Sequence, residues 1–117
     1  MGYAEEYKQK LVTAEQAAAV IKDGDWVDYG WCSTTNIAVD KELAKRMPEM
    51  HDVKIRGGIL MHVPAIFQIE NPQDHFTWNS WHMNGAERKM APTGLSFYAA
   101  LKYSELPRHY LESQDPL

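Results

Sequence analysis

The chain has a single cysteine, Cys32, and no apolar run that approaches the roughly 20 residues needed to cross a bilayer. One cysteine cannot form an internal disulfide, which fits a reducing compartment. Residues 1–9 are polar, whereas a signal peptide has a basic start followed by an apolar stretch. These absences exclude an obvious membrane or export function, and we expect a cytoplasmic protein that binds no membrane.

Positive charge is also in short supply. The chain has twelve Lys and Arg residues and sixteen Asp and Glu residues, so its formal net charge is −4. Both signs are dispersed along the chain, so no basic stripe is present to neutralise the phosphates of a nucleic acid. The sequence therefore argues against DNA or RNA as a partner.

The hydrophobic fraction, 44% of 117 residues, is that of a chain able to bury one small core. Strand-like and helix-like periodicities alternate along it, and helices between strands place those strands in parallel. This pattern predicts a layered α/β domain with a mostly parallel sheet of about four strands. Strands are expected at 26–32, 53–61, 76–83 and 95–103, and helices at 14–22, 37–47, 64–69, 86–90 and after the capping residue Ser104.

Several motifs contain side chains with catalytic or metal-binding chemistry, and most of them favour a structural role. The histidines are scattered without the spacing of zinc ligands, and no metal site is expected. Cys32 could be a nucleophile only with a base in reach, so an unreactive thiol is the favoured interpretation. No Gly-x-Ser-x-Gly elbow occurs. The pair Gly57-Gly58 lacks a phosphate-binding pattern around it and favours close backbone packing.

The segment 76–85 is different, because aromatic residues alternate there with polar ones before a tight turn. Buried polar groups need partners, so Asn79, Ser80 and His82 suggest the wall of a polar cleft. The alternative is that these residues only pack one part of the protein against another.

Four segments of the chain carry a shared pattern when they are taken together, namely Asp25–Cys32, Val53–Leu60, Phe76–Met83 and Tyr103–Pro107. These segments resemble the start of the acetyl-CoA hydrolase/transferase family. Within that family they are most similar to transferases that act on butyryl-CoA and acetate, followed by those that act on 4-hydroxybutyrate.

The resemblance implies a ping-pong CoA-transferase in which a glutamate carboxylate attacks the acyl thioester, displacing the CoA thiolate and forming an acyl-glutamyl anhydride. The thiolate then opens this anhydride, which releases the first acid and leaves a glutamyl-CoA thioester that an incoming carboxylic acid resolves. The family carries that glutamate and its glycine-rich CoA loop in a later part of the polypeptide. Neither motif matches this sequence, so residues 1–117 are expected to be a truncated N-terminal domain without catalytic residues and without a bound cofactor, inactive without its C-terminal half. The coenzyme A thioester would be a substrate of the whole enzyme, which the resemblance implies is a homo-oligomer.

The resemblance also implies that this segment forms one wall of the pocket for the acyl group and the carboxylate. Asn79, Ser80 and His82 would orient carboxylate oxygens, while Trp31 and Met83 would bound the short acyl chain. Two alternatives stay open at this point, namely a thioester hydrolase on the same scaffold and a non-catalytic interaction domain. The expected wall residues are Trp31, Cys32, Ser33, Thr34, Asn79, Ser80, His82, Met83 and Gly85.

Overall fold

The structure, a computed structural model, describes residues 2–112. Its centre is a sheet of four strands in the order β1-β2-β3-β4, and every neighbouring pair is parallel. The layered α/β class predicted from the alternating periodicities is therefore confirmed. The strands are β1 (Trp26–Trp31), β2 (Val53–Gly58), β3 (Phe76–Ser80) and β4 (Ser96–Tyr98).

Five α-helices accompany the sheet, and local capping residues set where several of them begin. The Thr13 hydroxyl oxygen accepts from the backbone N–H of Gln16, and the Gln16 side-chain oxygen accepts from the backbone N–H of Thr13. These two bonds form the capping box of the second helix. Asn36 caps the third helix through Val39. The helices are α1 (Tyr3–Lys10), α2 (Ala14–Ala19), α3 (Ile37–Arg46), α4 (Gly85–Met90) and α5 (Leu106–Glu112). None of the helices within 2–112 is both long and apolar enough to span a bilayer.

The core lies on one face of the sheet. Trp78 of β3 is fully buried and makes edge-to-face contacts with Tyr29 at 5.4 Å and with Phe67 at 5.0 Å between ring centroids. Leu43 and Met47 bring the α3 side of the layer into the same buried cluster. Because side chains alternate along a strand, the residues between these core positions lie on the opposite face.

That opposite face is partly covered by α5. The Arg56 guanidinium is buried, 4.3 Å from the ring centroid of Trp26 and 5.5 Å from that of Tyr110. The Tyr110 hydroxyl donates to the carboxylate of Asp28. Tyr110 therefore anchors α5 against β1 and β2.

The strands are shorter than the sequence pattern predicted. The fourth was expected over 95–103, yet β4 covers only Ser96–Tyr98, and Phe97 and Tyr103 are exposed rather than aligned on a buried face. The last bond to β3 runs from Ala99 N–H to the Ser80 carbonyl, because β3 itself ends there. Ser104 lies inside a 3₁₀ turn, Tyr103–Glu105, instead of capping a helix.

The short helix predicted over 64–69 is a 3₁₀ turn, Ala65–Gln68, and several other expected boundaries moved by a few residues. Pro107 lies in the first turn of α5, as predicted. The predicted N-terminal helix 14–22 ends at Ala19, and its capping-box start at Thr13 is confirmed.

Candidate functional site

The carboxyl ends of the parallel strands meet along one side of the sheet, where open α/β sheets usually bind ligands. We call this side the carboxyl edge, and it comprises the loops 32–36, 59–64 and 81–84 together with residues 99–106 after β4. The two segments singled out in the sequence, Trp31–Thr34 and Asn79–Gly85, both reach it. The structure thus brings the predicted wall segments to the same side of the domain.

An aromatic pair forms the floor of this edge. The indoles of Trp31 and Trp81 are stacked with ring centroids 5.6 Å apart and an interplanar angle of 26°. The rings of His82 and Tyr103 each lie 6.4 Å from Trp31. Together with Leu101 and Leu106 these four residues line a cavity of about 170 Å³.

The two adjacent glycines of β2 make room for this arrangement. A Cβ on Gly58 would lie 2.8 Å from Cζ3 of Trp31, and a Cβ on Gly57 would lie 2.7 Å from Cζ2 of Trp78. Both distances are too short for real carbon contacts, so each glycine admits an indole ring, on opposite faces of the strand. The interpretation of Gly57-Gly58 as a close-packing motif is confirmed.

The loops after β2 and β3 are tied together by their backbones. Ile59 N–H donates to the His82 carbonyl over 3.1 Å, and Trp81 N–H donates to the Gly57 carbonyl over 3.2 Å. Ile59 has φ of 45°, a left-handed conformation that a β-branched residue rarely adopts. This local strain persists because the neighbouring hydrogen bonds fix the loop.

The loop after β1 is held by Thr34. Its hydroxyl oxygen accepts from Trp31 N–H at 2.7 Å and donates to the Trp31 carbonyl at 2.8 Å. Cys32, with φ of 53°, is half-buried, whereas Ser33 and Thr34 are exposed. Ser33 and Thr34 are therefore accessible at the carboxyl edge, whereas Cys32 is partly covered.

The predicted substrate-binding residues near the end of β3 differ in burial. Ser80 is fully buried and its hydroxyl donates to Oε1 of Glu87 at 2.7 Å. Asn79 is half-buried, and its amide donates to the Ile55 carbonyl and to the Thr77 hydroxyl, both at 3.3 Å. These two side chains are engaged within the domain in this structure.

His82 is exposed and lines the cavity, so among Asn79, Ser80 and His82 it is the side chain most accessible to a ligand. Met83 is half-buried, and its carbonyl accepts from Arg88 at 2.7 Å. Gly85 is exposed as the first residue of α4.

Sequence reasoning missed part of this site. The alternation of residues 95–103 predicts a strand that includes Leu101 and Tyr103, whereas both line the cavity from the segment that follows β4. The pattern of 76–83 predicts Trp81 as a strand residue, and its stacking on Trp31 depends on the register of β1, β2 and β3. Glu87 could have been noticed, since Asn84 and Glu87 have the spacing of a capping box.

Two tyrosines near the sheet have perturbed ionisation. Burial, together with the Asp40 carboxylate to which it donates, raises the pKa of Tyr29 above its usual value. Burial and the Asp28 carboxylate likewise raise the pKa of Tyr110. In the part of the chain from 2 to 112, no three His, Cys, Asp or Glu side chains are grouped to hold a metal ion.

The fold and this edge define a class, an α/β domain that presents a small aromatic cavity at the carboxyl ends of a parallel sheet. The sequence model of the acetyl-CoA hydrolase/transferase N-terminal domain matches residues 1–113, and the chain belongs to this family.

Relatives of known description support the assignment. The chain is 57% identical over 110 residues to a butyryl-CoA:acetate CoA-transferase of Anaerostipes caccae, covering 94% of this chain and 25% of that protein. It is 46% identical over 103 residues to a probable butyrate:acetyl-CoA coenzyme A-transferase of Syntrophomonas wolfei, covering 88% of this chain and 23% of that protein. The chain spans about a quarter of the length of these curated relatives.

A solved structure shows the same fold. The crystal structure of RipA from Yersinia pestis superposes with a TM-score of 0.75 at 20% identity, covering 96% of this chain and 28% of RipA.

Proposed function

We propose that this chain is the N-terminal part of a CoA-transferase that moves CoA between a short-chain acyl-CoA, such as butyryl-CoA, and a free carboxylate, such as acetate. The observation that carries the proposal is the 57% identity to a butyryl-CoA:acetate CoA-transferase along 94% of the chain. Its role within the enzyme is to supply one wall of the pocket for the acyl group and the acid.

The size and lining of the cavity support that role. At about 170 Å³ it is smaller than the roughly 300 to 1,000 Å³ pockets that bury drug-sized ligands. Its floor of stacked Trp31 and Trp81 offers apolar contact, while His82 at the rim offers a hydrogen-bonding ring. A few placed polar groups in an apolar pocket suit a short acyl chain that ends in a carboxyl group.

The remaining predicted wall residues are proposed to contribute to the pocket because they lie at or next to the carboxyl edge. Ser33, Thr34 and Gly85 are exposed at the edge, Cys32 and Met83 are half-buried beside it, and Asn79 and Ser80 support it from within the domain. Direct contact with a carboxylate is assigned first to His82.

The nucleophilic glutamate is proposed to lie in a further part of the polypeptide. Among residues 2–112, Glu87 is the buried glutamate, and its two oxygens already accept three hydrogen bonds. A carboxylate held in this way cannot approach a thioester, so it does not fit the attacking role. Since the sequence also contains no match to the family's nucleophile motif, the chain alone is proposed to be inactive.

The proposal extends to the setting of the enzyme. We place it in the cytoplasm, consistent with a single cysteine and a reducing compartment. The complete enzyme is proposed to be a homo-oligomer whose wall segment meets its catalytic half within each polypeptide.

The test is an acyl-exchange assay on the longer polypeptide that carries this chain. Incubation with butyryl-CoA and isotopically labelled acetate should yield labelled acetyl-CoA, and the initial rates should follow ping-pong kinetics. The 117-residue chain alone should not exceed the blank rate.

Three outcomes would contradict the proposal. Release of free CoA at the same rate with and without acetate would identify a thioester hydrolase. Turnover by the short chain that disappears when one of its own glutamates is replaced would place the nucleophile here. Absence of both activities from the longer polypeptide would leave a non-catalytic interaction domain as the explanation.

A further inference from the structure

A buried carboxylate, Glu87, lies directly behind the carboxyl edge. Its side chain has no solvent exposure. Oε1 accepts from the indole N–H of Trp78 at 2.9 Å and from the hydroxyl of Ser80 at 2.7 Å, and Oε2 accepts from the backbone N–H of Asn84 at 2.6 Å. A carboxylate this deeply buried persists only when hydrogen bonds replace its lost hydration, and these three donors supply that replacement.

The donors come from both ends of one loop. Trp78 and Ser80 are successive inward-facing residues at the end of β3, and Asn84 is the first residue after the segment 81–83. The carboxylate therefore connects the two ends of the loop that carries Trp81 and His82.

The connection continues to the loop after β2. Asn84 caps α4 by accepting from Ala86 N–H at 3.0 Å and Glu87 N–H at 3.2 Å, and its amide donates to the Leu60 carbonyl at 2.5 Å. Glu87 and Asn84 thus hold two of the three loops of the carboxyl edge in one arrangement.

Helix capping alone does not explain the three hydrogen bonds that Glu87 accepts. In α2 the same capping-box position is filled by Gln16, whose single amide oxygen accepts from Thr13 N–H at 2.9 Å. Glu87 performs that task with Oε2 and uses Oε1 for two side chains of β3, which a cap does not require. In Glu87→Gln, the side-chain NH₂ group would face either the two β3 donors or the Asn84 N–H. The hydrogen bonds on that side would be lost.

We infer that Glu87 is a positioning residue of the CoA-transferase site, holding the 81–83 loop so that Trp81 stacks on Trp31 and His82 faces the acyl and acid pocket. The kinetic part of this inference rests on the proposed function, and the structural part does not. Because Glu87 is fully buried and hydrogen-bonds only to groups of the domain, its proposed effect on the site is exerted through the loop.

The matched control is Asp40, a second buried carboxylate whose hydrogen-bond donors lie outside the loop 81–83. It is 1% exposed and accepts from the Tyr29 hydroxyl at 3.1 Å and from the backbone N–H groups of Ala65 at 2.6 Å and Ile66 at 3.4 Å. Replacing Asp40 by Asn changes a buried side chain with the same number of donors and removes no hydrogen bond of the loop 81–83.

The experiment compares Glu87→Gln, Asp40→Asn and the unaltered protein as the longer polypeptide. The stacked indoles of Trp31 and Trp81 should give an exciton couplet in the circular dichroism spectrum. Loss of this couplet in Trp31→Phe would assign it to that pair. Glu87→Gln should weaken the couplet and raise the KM for acetate by about tenfold or more, because a misplaced contact of about 1 Å is costly to catalysis. Asp40→Asn should lower the melting temperature and leave the couplet and the KM for acetate unchanged.

Equal couplets and equal KM values in the two variants would overturn the inference and leave Glu87 with a purely structural role. If Glu87→Gln does not fold, Ser80→Ala tests the same point by removing one donor, and an unchanged couplet and KM there would overturn it as well. A protein without transferase activity would contradict the proposed function, while the couplet would still decide the role of Glu87.

Discussion

At the scale of single residues, the adjacent glycines of β2 connect the core to the candidate site. Gly57 and Gly58 face opposite sides of the sheet, and each lies against an indole, Trp78 in the core and Trp31 at the carboxyl edge. A strand interior usually disfavours glycine, so its use at two successive positions marks a packing need. The missing side chains allow both indoles to approach the backbone.

Replacing either glycine by alanine should therefore be costly. Gly57→Ala forces Trp78 out of its position in the core and should lower the free energy of unfolding by about 1 to 3 kcal/mol. Gly58→Ala should disturb Trp31 at the edge, with a smaller loss because that ring is only half-buried. Chemical denaturation measures both.

Gly85→Ala is the control, because nothing lies within 4 Å of a Cβ built there. It should be neutral or slightly stabilising, by reducing the freedom of the unfolded chain. A Gly57→Ala protein as stable as Gly85→Ala would contradict the packing account.

The limits of sequence reasoning also appear at this scale. Strand periodicity places Trp31 and His82 near the ends of predicted strands, while their role in a pocket wall comes from the polar pattern of 76–85 and the family resemblance and stays a prediction. Ser80 could not be separated from them, since the direction of its hydroxyl depends on Glu87, seven residues later. Sequence patterns locate a residue on an element, whereas the partner that occupies its polar atoms is set by packing.

At the scale of elements, the fourth strand shows why length was overestimated. Residues 95–103 alternate well enough for a long strand, but a parallel ladder also needs a partner. Ser80, the last residue of β3, pairs with Tyr98, and β4 ends at that position. Local alternation predicts a strand, while the length of its neighbour determines where the strand stops.

Contacts between elements are also held by buried polar pairs. Tyr29 of β1 donates to Asp40 of α3, and Asp40 accepts from the backbone of Ala65 at the start of a 3₁₀ turn. One phenol and one carboxylate thus join a strand, a helix and a turn.

This junction predicts an alkaline loss of stability. Because the native pKa of Tyr29 is raised, the folded protein keeps its proton at a pH where the unfolded chain, with a value of about 10, has lost it. The contribution of Tyr29 to the free energy of unfolding is complete below about pH 10. It should decrease as the pH rises above that value. Urea denaturation across neutral to alkaline pH measures the slope.

Tyr29→Phe should flatten that slope and, near neutral pH, lower the free energy of unfolding by about 1 to 3 kcal/mol, because the buried Asp40 loses a donor. Tyr3→Phe is the control, since Tyr3 is 94% exposed. An alkaline slope in Tyr29→Phe as steep as in the unaltered protein would contradict the assignment.

At the scale of the whole molecule, the domain is asymmetric in what its two ends carry. The carboxyl edge holds the stacked indoles, His82 and the cavity, whereas the amino ends of β2 and β3 carry His51 and His75, stacked on each other at 6.0 Å. The parallel topology and the aromatic content were readable from the sequence. The cavity was not, because residues from three separate segments of the chain meet there.

The central claim, that the carboxyl edge binds the acceptor acid, is tested most directly by separating the two half-reactions in the longer polypeptide with His82→Ala. Loss of a hydrogen bond to a charged carboxylate costs about 1.5 to 3 kcal/mol, roughly a tenfold to hundredfold loss of kcat/KM. We expect this loss to fall on the half-reaction with free acetate. Formation of the enzyme-CoA thioester from butyryl-CoA should be affected less, and His51→Ala should change neither half-reaction. Equal damage to both half-reactions with a large fall in melting temperature would contradict the claim and assign His82 to packing.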